Sequence, residues 1–181
     1  MAPSNDGSAP TYEIRTHRPG DMGMIVSLHG SLYAEQLGWG GGFEASAARV
    51  VADFLDNFDP CLEHVFIAES FETRQLLGSV TILKHREEAN TALLRLFFVD
   101  PAARGAGLGA RLISESISFA RGRGYAKMIL WTFSVLEGAR RLYKRAGFQL
   151  VLTAEEKEYW GTRQVPECWE LKLSHAEGQL D

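Results

Sequence analysis

One stretch constrains this chain more than any other: VDPAARGAGLGARL, Val99 to Leu112. An apolar run, LLRLFFV, leads into Pro101, then into Arg104, Gly105, Gly107 and Gly109, then into a helix-forming segment. Glycine lets the backbone turn tightly and approach a ligand closely. The unpaired N–H groups of a helix's first turn, with the helix dipole, favour an anion, typically a phosphate. Strand, glycine loop and helix in that order predict an α/β layer with a phosphate-receptive corner.

The rest of the chain supplies a frame for that corner. The length of 181 residues, 45% apolar and 23% charged, suits one globular domain. Tyr12 to Thr16 reads as a strand. Asp21 is positioned to cap a helix reaching Leu37, and Gly38 with Gly40 to Gly42 ends it. Phe43, Ala47, Val50, Val51, Phe54, Leu55 and Phe58 form one stripe of a second helix, from Phe43 to Phe58. Strands follow at His64 to Glu69, Leu76 to Lys84 and Thr91 to Val99. Then come a helix from Gly107 to Gly122, a strand from Lys127 to Phe133, and a helix from Val135 to Ala146 stopped by Gly147. Phe148 to Leu152 and Cys168 to Leu173 read as the last strands, with a polar loop from Thr153 to Pro166 between them. The predicted order is β-αα-βββ-α-β-α-β-β, one mixed α/β sheet with helices on both faces. The domain spans 11–174, after a disordered leader at 1–10 and before a tail at 175–181.

Charge and cysteine usage narrow the partners. Nineteen Lys and Arg against 23 Asp and Glu give a net charge of −4, without the basic excess of a nucleic-acid binder. Cys61 and Cys168 stand far apart with no Cys/His cluster, so neither a metal site nor a disulfide framework is expected. The apolar runs fall well short of the ~20 residues that span a bilayer, and no export signal opens the chain. A cytoplasmic protein without membrane or nucleic-acid partners is the expectation.

Several ligands could explain the glycine loop. A Walker loop needs a Lys after its glycines, and none follows. The dinucleotide pattern G-x-G-x-x-G/A is met formally by Gly105, Gly107 and Ala110. Its context fails, because the next strand ends in Trp131, Thr132 and Phe133 with no carboxylate. The acyl-CoA pyrophosphate loop, R/Q-x-x-G-x-G/A, is met by Arg104, Gly107 and Gly109, with Val99 and Pro101 upstream. A glycine-rich turn without a ligand is the remaining reading.

From Tyr12 to Leu173 the sequence resembles the GCN5-related N-acetyltransferase (GNAT) superfamily. LFFVDPAARGAGLGARL and the later ARRLYKRAGF, Ala139 to Phe148, carry the resemblance. More narrowly, RPGDMG, LYAEQLGW and the long second helix resemble acetyltransferase domains fused behind MarR-type regulators. Those domains often read W-T-N-D where this chain has Trp131, Thr132, Phe133 and Ser134. The resemblance implies a GNAT-like fold and transfer of acetyl from acetyl-CoA, the cosubstrate, to a primary amine of a small molecule or peptide. The alternative is a non-catalytic acyl-CoA-binding or sensing module. A monomer and a homodimer are both compatible with the superfamily.

The resemblance also implies roles for residues. Backbone amides of Phe97, Phe98 and Val99 would hold pantetheine and the acetyl oxygen. The segment Arg104, Gly105, Ala106, Gly107, Leu108, Gly109 and Ala110 would hold the pyrophosphate. Tyr143 would protonate the departing thiolate; the competing reading is a packing tyrosine on an amphipathic helix. Glu35 would act as base, unless it is a solvated surface carboxylate. Tyr33, Trp39, Arg95 and Trp131 would line the acceptor pocket, although each aromatic is equally an ordinary core candidate. Trp39, flanked by glycines, suggests a lid. Glu63 is a weaker source of pocket polarity. His29, His64, His85 and His175 lack metal spacing and read as structural or exposed.

Overall fold

A computed structural model describes residues 11–173. The expected leader at 1–10 and the tail at 175–181 lie outside them. Every predicted element is present within a few residues. They are β1 (Tyr12–Thr16), α1 (Asp21–Leu37), α2 (Gly41–Asn57), β2 (His64–Ser70), β3 (Leu76–Lys84) and β4 (Thr91–Val99). Then come α3 (Leu108–Gly122), β5 (Lys127–Phe133), α4 (Glu137–Arg145), β6 (Gln149–Thr153) and β9 (Pro166–Lys172). The polar loop between β6 and β9 is not a plain loop. It folds into a hairpin of β7 (Lys157–Tyr159) and β8 (Thr162–Gln164).

The helix entry also differs from expectation. Gly20, at φ 98°, makes the turn into α1 and occupies the cap position, so Asp21 is already helical. The Asp21 carboxylate still works locally. It accepts from the Arg18 amide at 2.6 Å and from Arg15 Nη1 at 2.6 Å.

Seven strands form one sheet in the order β1-β2-β3-β4-β5-β9-β6. All pairs are antiparallel except β4 with β5. Strand alternation sends successive side chains to opposite faces. On one face Ile25 of α1 and Val51 and Phe54 of α2 pack on Val65 and Ile67. On the other, Leu112, Ile113 and Ile117 of α3 and Tyr143 of α4 pack on Val80, Ile82, Leu94 and Leu130.

Two irregularities of β4 create the site. Its pairing with β5 runs from Thr91↔Lys127 to Leu94↔Leu130 and stops, although both strands continue. Beside that point, β3 pairs Thr81 with Arg95 but Ser79 with Phe98, so β4 holds one extra residue. Leu96, at φ 47°, lies in this bulge. A bulge bends its strand and strengthens the local twist. From Arg95 onward β4 therefore follows β3 and leaves β5, and a V-shaped gap opens in the sheet.

Candidate active site

The gap in the sheet continues into a cavity of about 1040 Å³. One end is walled by the loop after β4. Pro101–Ala103 form a short 3-10 turn in which Asp100 accepts from the Ala102 amide at 2.8 Å. Arg104 Nε donates to the Val99 carbonyl at 3.2 Å and ties the loop back to its strand. Gly105 (φ 84°) and Gly107 (φ 83°) sit in the left-handed region, and Gly107 leads into α3 with no side-chain cap. A Cβ on either would meet nothing within 4 Å, so conformation, not crowding, calls for glycine there. Gly109 differs. Its Cβ would lie 2.9 Å from Leu142 Cδ1 and 3.4 Å from Phe97 Cζ, so it lets α3 pack closely against α4 and β4. Uncapped first-turn amides, open left-handed glycines and the guanidinium groups of Arg104 and Arg145 on the same cavity fit a diphosphate.

The middle of the cavity is where β4 parts from β5. Phe97, Phe98 and Val99 line it, and no β5 ladder reaches their backbone. Tyr143 faces them from α4, its ring centroid 6.0 Å from that of Phe97 and 5.9 Å from that of Phe148. It is 5% exposed, and burial pushes its phenol well above the ordinary tyrosine range, with Tyr33 adding to the shift. Among the described residues its hydroxyl has no hydrogen-bond partner. Tyr33 is half-buried on the same lining, and desolvation pushes its phenol up to about 12, opposed by the charge of Arg104.

The far end is aromatic. Tyr33 and Trp39 stack 4.8 Å apart, and Trp39 lies 4.9 Å from both Phe43 and Trp160. Phe133 closes the cluster at 5.5 Å from Trp160. Trp160 arrives on the β7–β8 hairpin. Its carbonyl accepts from the Gly40 amide at 2.9 Å, and its indole N–H donates to Ser46 at 3.3 Å. A Cβ on Gly42 would meet Trp160 Cδ1 at 2.9 Å, which gives the glycine run a packing reason. Trp39 is only 3% exposed. It is packed into the cavity wall in this structure, where the sequence suggested a lid.

A sequence model of the acetyltransferase (GNAT) family matches residues 32–148, from the α1 wall of the cavity to the end of the Tyr143 helix. The chain belongs to the GNAT acetyltransferase family. Mycothiol acetyltransferase of Mycobacteroides abscessus is 31% identical over 136 residues, 74% of this chain and 43% of that protein. The chain spans 29% to 43% of the length of the curated relatives it matches. Among solved structures, yncA from Salmonella typhimurium, solved with its cofactor acetyl-CoA, superposes with a TM-score of 0.73 at 19% identity. That match covers 95% of this chain and 100% of that one. Ribosomal-protein-alanine N-acetyltransferase from Brucella melitensis gives 0.70 at 18% identity, covering 89% and 99%. At such identities these structures establish the GNAT fold.

The GNAT cavity gathers most of the residues singled out from sequence. Tyr33, Trp39, Arg95, Trp131, Tyr143, Phe97 to Val99, Arg104, Gly105 and Gly107 to Ala110 all line it, whereas Ala106 does not. Trp131 stands at the rim, 47% exposed. Glu35 is the clear departure. It is exposed and off the lining, because α1 turns His29, Leu32, Tyr33, Gln36 and Leu37 inward. Glu63 is buried in a structural role, accepting from the amides of Asp59 at 3.0 Å and Lys84 at 3.2 Å. No group of three or more potential metal ligands occurs among the described residues, and no helix there is long and apolar enough to cross a membrane.

Sequence reasoning missed Phe43, Phe133, Tyr159 and Trp160, and it missed His29. The last is 2% exposed on the cavity lining. Its Nδ1 donates to the Ile25 carbonyl at 2.8 Å, leaving Nε2 buried without a partner among the described residues. The rings around it are Tyr33, Phe43 and Phe98. Burial pushes its pKa down from 6.5 to about 4, against the pull of the Ile25 and Phe97 backbone. Folded His29 is therefore neutral where the unfolded chain binds a proton. Its contribution is complete above about pH 6.5 and is lost as pH falls toward about 4, up to about 3 kcal/mol. Melting curves between about pH 7 and pH 4.5 test this. His29→Gln should lose less Tm over that interval than the parent, and equal losses would exclude His29 from the acid response.

Proposed function

We propose that this protein transfers an acetyl group from acetyl-CoA to a primary amine of a small molecule or peptide. The observation that carries the reading is the buried Tyr143 phenol. It faces the free edge of β4 in the same cleft as the left-handed glycines ahead of α3. The glycine loop and the α3 N-terminus receive the pyrophosphate. Amides of Phe97 to Val99, freed by the splay of β4, hold the pantetheine arm and the thioester oxygen.

The neutral amine attacks the thioester carbonyl, forming the C–N bond and an oxyanion. Oriented N–H donors at such a position are worth about 2.7–4 kcal/mol in the transition state. The C–S bond then breaks, and Tyr143 gives its proton to the sulfur. The proton lost by the amine goes to solvent, from which Tyr143 is reloaded. Burial suits this role in two ways. It keeps the phenol protonated, and it makes a thiolate formed beside it a stronger base. No carboxylate is assigned as base: Glu35 lies off the cavity, and Glu137 on its lining is largely exposed and paired with Arg141.

The test is release of free CoA thiol from acetyl-CoA, measured across a panel of amines. Thiol release that depends on the amine supports transfer. Tight acetyl-CoA binding without such release would replace this reading with a sensing module akin to the domains fused to MarR-type regulators.

A further inference from the structure

Four charged side chains line the cavity: Arg95, Arg104, Glu137 and Arg145. Three have a place in what is already described. Arg104 belongs to the glycine loop, Arg145 is an exposed side chain at the end of α4, and Glu137 is a largely exposed residue paired with Arg141 at 3.3 Å. Arg95 is different. It sits on β4 before the bulge, opposite Thr81 of β3. Strand alternation puts it on the face of Leu93, which packs with the α1 and α2 residues, and not on the α3 and α4 face of Phe97 and Val99. From Arg95 to Val99 the strand advances on the order of 13 Å, so the guanidinium stands well back from the diphosphate end.

Arg95 is half-buried, yet among the described residues it makes no ion pair and no hydrogen bond. Burial pushes its pKa down, and no counter-charge opposes that shift. A partly desolvated cation without a partner is costly. The lining of the same cavity includes a second unpaired donor, the buried Trp39 indole N–H. The acceptor end of the cavity thus offers a cation and a donor but no carboxylate.

We infer that the amine accepted by this protein also carries a carboxylate, which Arg95 receives while the amine reaches the thioester. This rests on the acetyl-transfer reading and names its acceptor class. The chemistry is that of an amino acid or a peptide with a nearby free carboxylate. A polyamine would instead bring a second cation against Arg95, which disfavours it.

Matched pairs supply the test: each free amino acid against its carboxamide, as acceptors with acetyl-CoA. The amide keeps the amine and side chain and removes only the charge. Its amine is the less basic, so intrinsic reactivity at neutral pH favours the amide and any preference for the acid comes from the site. For at least one pair, kcat/KM should favour the acid by about 10-fold or more. In Arg95→Gln that ratio should collapse to one or below, and Arg95→Lys should restore part of it. Melting curves and acetyl-CoA titration verify that both variants are folded.

A second arm needs no turnover: calorimetric binding of N-acetylated amino acids and of their amides to the CoA-loaded protein. No pair favouring the acid in either arm, or a ratio unmoved by Arg95→Gln, overturns the inference. Acid-selective binding that depends on Arg95, without thiol release from any amine, upholds the carboxylate site and overturns acetyl transfer.

Discussion

Tyr143→Phe should lower kcat by about 10²–10⁴-fold, the usual worth of general acid–base catalysis. The change removes one hydroxyl and almost no volume. The hydroxyl has no hydrogen-bond partner among the described residues, so no structural bond is lost with it. The KM for acetyl-CoA should move little, because the loss falls on the transition state. A tyrosine that served only packing would behave otherwise. Phe would then retain normal turnover, and only Tyr143→Ala would suffer, through a cavity costing about 3–5 kcal/mol beside Phe97 and Phe148. Steady-state kinetics on the Phe variant, with melting curves on both, separate the two. Retention of more than about half the parent kcat, with chemistry rather than product release limiting, takes Tyr143 out of the reaction.

Gly107→Val should weaken acetyl-CoA binding by about 10-fold or more while the fold survives. A Cβ at Gly107 meets nothing within 4 Å in the protein, and Gly107 lines the cavity, so the added side chain projects toward the place proposed for the pyrophosphate. The left-handed φ of 83° adds backbone strain of roughly 1–2 kcal/mol, which lowers Tm and shifts the loop amides. Gly124→Val isolates that strain. Gly124 has φ 78° and equally open surroundings, but it lies after α3 and off the cavity. Calorimetric titration should show lost affinity in the first variant and parental affinity in the second. Equal affinity in both would remove the loop from cofactor binding.

The halves of the site differ in how far the sequence announces them. The half proposed for the cofactor is written locally. A continuous apolar strand, glycines that must adopt positive φ and the following helix lie within one short segment, so their order alone sets the geometry. The half proposed for the acceptor is assembled from distant segments. Glu35 stands two positions from Tyr33, which on a helix is about 200° of rotation, so both cannot face one cavity. Helix phase, read from Leu32, Tyr33 and Gln36, carries that information.

The β7–β8 hairpin hid for another reason. Its two central residues, Trp160 (φ 52°) and Gly161 (φ 90°), both have positive φ. Such two-residue turns usually begin with Asn, Asp or Gly. A tryptophan there masks the turn, and its packing on Trp39 and Phe43 offsets the unfavourable backbone. The bulge at Leu96 has no sequence mark at all, since leucine rarely adopts φ 47° without tertiary support.

The aromatic wall has a practical side. Three of the chain's four tryptophans, Trp39, Trp131 and Trp160, line the cleft, and the first and last touch each other. An occupant of the cleft changes the surroundings of the Trp39–Trp160 pair and of the exposed Trp131. The protein's own ultraviolet emission is thus expected to report occupancy of the cleft, whether or not the occupant is turned over.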